Sequence, residues 1–182
     1  GLPERFILFV GTIEPRKNLT RLLHAWEPLY GKFEAPPLVI VGKTGWLTGD
    51  FFAALDQSLA KEGVILPGFV EEQDLPAFYS AATALIMPSL YEGFGLPPLE
   101  AMACGTPVLC SDSSSLPEVV GNAAVQFDPR DTADITAAIR TVMKDADLRR
   151  KVSQLGLAQA ARFSWKKTAE QTLDVYNKVL KA

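Results

Sequence analysis

Residues 88–105 carry the pattern with the clearest chemical use, and they read PSLYEGFGLPPLEAMACG. Two carboxylates, Glu92 and Glu100, stand eight positions apart, with a glycine-bearing turn and a predicted helix start between them. Glycine lets a backbone come close to a ligand, and a new helix offers unpaired N–H groups to an anion. Ionised carboxylates only accept hydrogen bonds, which suits hydroxyl donors. A ligand with hydroxyls at both ends and a phosphate between them would fit, and a sugar nucleotide has that layout.

A second segment supplies positive charge. Residues 11–18 read GTIEPRKN, so Arg16 and Lys17 are adjacent cations just ahead of a predicted helix start. Two neighbouring cations are usually a solvated pair on a surface. Because these follow a glycine turn at the end of a predicted strand, we expect them to bind phosphate, Arg16 as a planar fork and Lys17 as a point charge. Neutralising a diphosphate leaving group lowers the barrier to breaking its bond to a sugar.

The two acids have different expected tasks. Pro97 suits the first turn of a helix, so the turn over Gly93, Phe94, Gly95 and Leu96 would aim its amides at an oxyanion. Glu100 is then expected in the first helical turn, where it either complements the helix dipole or accepts from both ribose hydroxyls. Glu92, on the other side of the phosphate position, would accept from hydroxyls of the transferred sugar.

Other short patterns have simpler readings. Gly42-Lys43-Thr44 resembles the end of a P-loop, but Pro37 stands where the first glycine is required. Asn18 is expected to cap the helix that follows it. The run Ser113-Ser114-Ser115 has no histidine near it, so we expect a loop that caps a short helix at Leu116 and no nucleophilic serine.

Composition limits the function classes. The 182 residues are enough for one domain with a full core, and 48% of them are hydrophobic. A net charge of −3 argues against a nucleic-acid partner, and no apolar run reaches the roughly 18 residues of a membrane span. The two cysteines fit core positions in a protein of a reducing compartment, so a cytoplasmic location is expected. A lone histidine, His24, makes a metal site improbable and is expected on the surface.

Short apolar runs alternate with helical patterns, which predicts an α/β fold: a doubly wound, Rossmann-like parallel sheet of six strands with helices on both faces and extra C-terminal helices. The predicted strands are Phe6–Val10, Leu38–Val41, Val64–Leu66, Ala84–Met87, Val108–Ser111 and Ala124–Phe127. The predicted helices are Asn18–Phe33, Gly49–Glu62, Asp74–Ala82, Pro97–Cys104, Leu116–Val120, Thr132–Lys144, Ala146–Ala161 and Trp165–Leu180. Pro28 should kink or interrupt the first helix.

The expected strand order, 3-2-1-4-5-6, places strands 1 and 4 side by side where the connections diverge, and ligands bind outside their carboxyl ends. The loop after strand 1 holds Arg16 and Lys17, and the loop after strand 4 holds Glu92 and the glycine turn. Topology alone therefore predicts that both loops face one crevice.

At these residues the chain resembles the carboxyl-terminal, donor-binding half of a retaining GT-B glycosyltransferase of family 4 (group 1). Glu92 and Glu100 match the family's E-x7-E pair, and the likeness covers nearly the whole chain. The further matching segments are Pro88-Ser89, Gly93-Phe94-Gly95-Leu96, Ala101-Met102-Ala103, Gly105-Thr106-Pro107-Val108, Leu116-Pro117-Glu118 and Gly121.

The resemblance implies that Glu92 contacts the donor sugar, that Glu100 contacts the ribose and that backbone at Phe69 and Val70 borders the base. Lys17 matches the family's lysine. Thr12 replaces its arginine, so Arg16 would supply the second cation. The sequence of residues 11–18 resembles that of a branch rich in mannosyltransferases, which favours GDP-mannose as the donor substrate. The resemblance implies no cofactor and no required metal.

The resemblance also implies a division of labour. Residues 1–182 would be the nucleotide-sugar donor-binding domain, the acceptor-binding N-terminal domain is absent from this chain, and the whole protein would be peripheral to a membrane through that domain. The expected activity is transfer of a hexose to a glycan or lipid-linked acceptor, the isolated domain being inactive. The alternatives are a non-catalytic nucleotide-sugar sensing module and half of a GT-B-type sugar-nucleotide epimerase or phosphorylase.

Overall fold

Six parallel strands form one sheet in the order β3-β2-β1-β4-β5-β6, which confirms the predicted order. The computed structural model describes residues 2–32 and 34–180. In it the strands are β1 (Ile7–Val10), β2 (Leu38–Val41), β3 (Val64–Gly68), β4 (Ala84–Met87), β5 (Val108–Ser111) and β6 (Val125–Phe127). Every residue of β1, β2, β4 and β5 is buried, because helices cover both faces of a parallel sheet.

The helices follow the strands as the alternation predicted. They are α1 (Leu19–Tyr30), α2 (Gly49–Gln57), α3 (Leu75–Ala81), α4 (Leu96–Ala103), α5 (Leu116–Val120), α6 (Thr132–Lys144), α7 (Ala146–Ala160) and α8 (Trp165–Leu180), with short 3₁₀ turns at Pro15–Lys17 and Lys61–Gly63. Most ends lie within one or two residues of the predicted bounds. Helix α1 packs on α2 and α6, whereas α4 packs on α3 and α7. The fold class predicted from the sequence, α/β and Rossmann-like, is confirmed.

The apolar stripe of α1 is buried as its spacing predicted, with Leu22, Leu23, Trp26 and Leu29 inside. The predicted interruption at Pro28 is wrong, because the helix continues to Tyr30. Proline removes one hydrogen bond, but here only two helical residues follow it, and the N–H of Gly31 still bonds the carbonyl of Glu27. Phe33, the predicted last residue of this helix, lies outside the described residues.

Helix α2 ends five residues earlier than predicted. The Glu27 carboxylate of α1 accepts from the Ser58 hydroxyl at 2.9 Å and from the Leu59 N–H at 2.9 Å. Ser58 is in an extended conformation, so the chain leaves the helix at this residue. A carboxylate contributed by another helix therefore terminates α2, and no local sequence pattern reveals it.

Helix α8 differs from the others because none of its residues is buried. Its exposed large side chains are those of Trp165, Leu173, Val175, Tyr176, Val179 and Leu180. Among the residues that the structure describes, no helix is long and apolar enough to cross a membrane.

Candidate functional site

The loops that follow β1 and β4 meet through charged side chains. Lys17 Nζ lies 2.6 Å from Glu92 Oε1, and Arg16 Nη1 lies 2.8 Å from Glu92 Oε2. The backbone joins the same loops, since the N–H of Leu90 donates to the carbonyl of Arg16 at 2.8 Å. The prediction that the basic segment and the acidic segment share one crevice is confirmed.

Both cations lie in a tight turn that ends at Asn18. The 3₁₀ turn Pro15–Lys17 ends at Asn18, which adopts a left-handed conformation with φ of 60°. Asn18 occupies the N-cap position of α1, as predicted, and its carbonyl accepts from the N–H of Leu22 at 3.1 Å, but its side chain makes no capping bond to the helix. Its Nδ2 instead donates to the carbonyls of Pro88 at 3.0 Å and Pro129 at 2.8 Å. Asn18 thereby fastens the start of α1 to the loops after β4 and β6.

Glu92 is a buried carboxylate with a fixed set of donors. It is 8% exposed, and its Oε1 accepts from both Lys17 and Ser89, each at 2.6 Å. Burial by itself would raise the pKa of Glu92, but the hydrogen bonds and charges of Lys17, Ser89 and Arg16 outweigh it and hold the pKa below its usual value. Since each carboxylate oxygen has two lone pairs, Oε2 can accept one more hydrogen bond beside that from Arg16.

Three serines hold the segment around Glu92, a role that the sequence analysis missed. Ser114 Oγ accepts from the N–H of Glu92 at 2.9 Å, and the single proton of Ser115 Oγ lies between the carbonyls of Glu92, at 3.0 Å, and Phe94, at 2.9 Å. Ser113 Oγ donates to the carbonyl of Ser89 at 3.3 Å. Ser115 occupies the N-cap position of α5, as expected, and its carbonyl accepts from the N–H of Val119 at 3.1 Å, but its hydroxyl makes no capping bond to the helix.

The glycine turn brings the backbone close to the first residue of α5, Leu116. Gly95 has φ of 105°, and a Cβ placed there would lie 2.6 Å from Leu116 Cδ2. Its neighbours Phe94 and Leu96 are exposed, and the Phe94 ring packs edge-on against Phe163 with centroids 6.0 Å apart. A residue with a side chain would be strained at this positive φ and would displace the Leu116 side chain, so glycine suits position 95.

Glu100 lies in the second turn of α4, so the expected first-turn position is wrong: the helix begins at Leu96, which makes Glu100 its fifth residue. Its side chain is exposed and its Oε2 accepts from the hydroxyl of Tyr79 at 2.7 Å. It lines a cavity of about 260 Å³, together with Phe94, Leu96, Leu99, Ala103, Ala160, Phe163, Ser164, Trp165 and Thr168. The charged side chain of Glu100 therefore faces a largely apolar hollow, to which Ser164 and Thr168 add hydroxyl groups.

Phe69 and Val70 follow the carboxyl end of β3. The Phe69 ring is exposed, and Lys43 Nζ lies 4.4 Å from its centroid. Val70 is half-buried and packs against the core. The segment is joined to the basic loop through the loop after β2: the N–H of Gly42 donates to the carbonyl of Gly68 at 2.8 Å, and the N–H of Ile13 donates to the carbonyl of Lys43 at 2.9 Å.

The loop after β2 also reaches the charged cluster, which the sequence analysis did not foresee. Trp46 Nε1 donates to Glu14 Oε2 at 3.1 Å, and Glu14 Oε1 lies 2.7 Å from Arg16 Nη2. Arg16 therefore bridges Glu14 and Glu92. The sequence gave no sign of this role for Glu14, because its contacts with Arg16 and Trp46 depend on the turn that follows it.

Acids in this crevice are paired with cations and hydroxyls. Among residues 2–32 and 34–180, no three His, Cys, Asp or Glu side chains are grouped so that they could hold a metal ion. The groups available to a ligand are thus two cations, a carboxylate oxygen with one open acceptor position, an exposed carboxylate and the backbone of a glycine turn.

Comparison with known proteins identifies the family of this chain. Residues 2–159 match the family described as Glycosyl transferases group 1. The O-antigen chain mannosyltransferase B of Escherichia coli is 41% identical over 175 residues, which are 95% of this chain and 46% of that protein. The serotype-specific mannosyltransferase WbdA of Escherichia coli is 38% identical over 185 residues, covering all of this chain and 23% of that protein.

A solved structure shows the same fold. The C-terminal domain of a glycosyl transferase group 1 family protein, LpcC from Francisella tularensis, superposes with a TM-score of 0.75 at 25% identity, over 86% of this chain and 84% of that one. The chain spans about half the length of the first relative above and about a quarter of the second. With the family matched over most of its length, this chain belongs to the glycosyl transferases of group 1.

Proposed function

We propose that residues 1–182 form the donor-binding domain of a retaining glycosyltransferase, which binds a nucleotide-diphospho sugar in the crevice between β1 and β4. The observation that carries the proposal is the cluster of Lys17, Arg16 and Glu92 at the point where the connections diverge. It is the position at which open α/β sheets bind ligands. Similarity to two mannosyltransferases supports mannose as the transferred sugar and GDP-mannose as the donor.

The diphosphate would bind at the two cations. Lys17 has three N–H donors, of which one is given to Glu92, and Arg16 is exposed on the solvent side. Pro97 and Pro98 carry no N–H, which removes two of the amide donors at the start of α4. The side-chain cations, rather than the helix end, would therefore supply most of the stabilisation of the leaving phosphate, without a required metal ion.

The two acids would hold the two ends of the donor. Glu92 has one acceptor position left on Oε2, which suits a single hydroxyl of the sugar next to the phosphate. Glu100 is exposed and would accept from the ribose hydroxyls, while Phe69 and Val70 would border the base. Gly93, Phe94, Gly95 and Leu96 would line the turn between the sugar and the ribose.

Binding of nucleoside diphosphates tests the donor role. Ligands that bind the native state raise its melting temperature. Since GDP-mannose is the proposed donor, we expect GDP to raise the melting temperature of this chain more than UDP or ADP does. Glu100→Ala should weaken GDP binding by about 1.5–3 kcal/mol, the range for hydrogen bonds to a charged group. Glu62→Ala is the matched control: Glu62 is exposed and lies at the amino end of β3, away from the crevice.

Glu92→Gln should separate sugar recognition from nucleotide recognition. The amide keeps the volume but releases both cations, so GDP binding should not weaken while the preference among sugar donors is lost. Equal weakening of GDP binding by Glu92→Gln and Glu100→Ala would contradict this division. Absence of binding of GDP, UDP and ADP at millimolar concentrations would contradict the donor role itself.

The remaining parts of the activity concern the whole protein. We propose that the further length present in the relatives supplies an acceptor-binding domain, that the acceptor is a glycan or a lipid-linked glycan, and that the protein works in the cytoplasm at a membrane surface. The half-length match and the two free cysteines support this proposal. Sugar transfer by a protein that includes such a domain, with the anomeric configuration of the product read by NMR, tests it together with retention.

A further inference from the structure

Tyr79 is a buried tyrosine whose polar end meets an exposed acid. Its side chain is 1% exposed, and its hydroxyl donates to Glu100 Oε2 at 2.7 Å. The ring sits in the core cluster between α3 and α4, which pack on each other. The interaction joins residues 21 positions apart and fixes one oxygen of a carboxylate that is otherwise open to solvent.

The hydroxyl is held in place and keeps its proton. Thr106 Oγ1 donates to the backbone carbonyl of Tyr79 at 2.7 Å, which anchors the end of α3. Burial, together with the hydrogen bond to Glu100 and the charge of that carboxylate, raises the pKa of Tyr79 far above its usual value. The group is therefore a permanent hydrogen-bond donor at neutral pH, which suits a fixed support for an ionised acid.

A glutamate on a helix surface ordinarily samples many rotamers, and a hydrogen bond to a rigid donor removes most of them. With Oε2 engaged by Tyr79, Oε1 accepts no hydrogen bond from the residues that the structure describes and can accept one from a ligand in the adjoining cavity. A free carboxylate that must be ordered at the moment of binding has a weaker net interaction than one that is ordered beforehand.

We propose that Tyr79 is a positioning residue that holds Glu100 in the orientation in which its free oxygen accepts from the ribose hydroxyls of the donor nucleotide. The inference rests on the proposed function, because it presumes that a ribose occupies this place. The inference assigns a role to a residue of α3, a helix in which the sequence showed no functional pattern. Tyr79 belongs neither to the loops after β1 and β4 nor to the pair Glu92 and Glu100.

The test compares ribose with its dideoxy form. Tyr79→Phe removes the hydroxyl and keeps the ring, and calorimetry measures binding of GDP, UDP and ADP and of their 2′,3′-dideoxy analogues. The unmodified chain should prefer the best-binding ribose form by roughly tenfold or more. Tyr79→Phe should reduce that preference about threefold or more and leave dideoxy binding unchanged. Tyr30→Phe, which removes a hydroxyl from a tyrosine stacked on Trp26, should leave the preference intact.

A second variant separates positioning from general support of the fold. In a Glu100→Ala background, Tyr79→Phe should cause no further loss of ribose preference, because both changes act through one contact. Equal weakening of ribose and dideoxy binding by Tyr79→Phe would show a structural role only. A ribose preference that Tyr79→Phe leaves unchanged would show that Tyr79 does not position Glu100. Absence of any nucleotide binding would instead overturn the proposed function, and binding without ribose preference would overturn the inference.

Discussion

The buried pair of Lys17 and Glu92 gives the sharpest test of the site geometry. The two residues are 6% and 8% exposed, so removing either charge leaves the other in a place that water scarcely reaches. Breaking a buried pair costs about 3–5 kcal/mol. Since Arg16 and Ser89 still face Glu92, we expect Lys17→Met to lower the free energy of unfolding by about 3 kcal/mol, at the low end of this range.

A double-mutant cycle isolates the pair. Glu92→Gln should also cost about 3 kcal/mol, and the double variant should lose about the same amount rather than the sum, because it leaves no unpaired charge. Urea unfolding at pH 7, followed by circular dichroism, measures all four proteins. Lys61 and Asp56 form an ion pair of the same 2.6 Å length between exposed side chains, and a cycle on this pair should show only weak coupling. Additive losses from Lys17→Met and Glu92→Gln would refute the reasoning.

The pH dependence has a defined sign. The pKa of Glu92 is lower in the folded chain than its reference value of 4.5, so the stability from its charged form is complete above that pH. It is lost as the pH falls through the folded-state pKa. The difference in unfolding free energy between the unmodified chain and Glu92→Gln should therefore be full at pH 7 and shrink in more acidic solution. A difference that does not change with pH would contradict the assigned pairing.

Three further results are expected. Gly95→Ala should lower the unfolding free energy by about 1–3 kcal/mol, because a Cβ there is strained and meets Leu116, whereas Gly93→Ala, with open space at its Cβ, should change it little in the same urea titration. A thiol reagent should modify half-buried Cys104 in the native chain and Cys110 only on unfolding, since burial raises the pKa of Cys110 to about 12. Ending the chain after residue 163 should leave the urea midpoint nearly unchanged, because no residue of α8 is buried.

The sheet could be predicted because each strand is recognisable from a short stretch of sequence. Strands β1, β2 and β4 are short, wholly apolar runs, β5 is apolar up to its last residue, Ser111, and their alternation with helical patterns admits few topologies. Once the order was set, the meeting of the loops after β1 and β4 followed, and the ion pairs of Glu92 confirm it. The errors in the fold arose from distant contacts, as with Glu27, whose carboxylate ends α2 from 31 positions away.

The site was predicted in outline but not in its internal connections. Which residues would bind sugar, ribose and phosphate remains a prediction, because no ligand contact tests it. The hydrogen-bond partners of individual side chains could not be predicted from the sequence. Asn18, for example, donates to carbonyls 70 and 111 positions away. Ser114 and Tyr79 likewise act through partners that only the folded chain brings near. Local patterns specify the periodicity of elements, whereas hydrogen-bond partners of a polar side chain depend on tertiary packing.

The pairing of acids with cations at the crevice has a kinetic consequence. Glu14 and Glu92 neutralise Arg16 and Lys17, so these four groups together present no net charge to an anion in bulk solvent. Long-range attraction, which accelerates encounter and weakens with ionic strength, is correspondingly small. An arriving polyanion must exchange partners with the two acids after contact. Capture at this crevice should therefore proceed by local rearrangement, at a rate that added salt changes little.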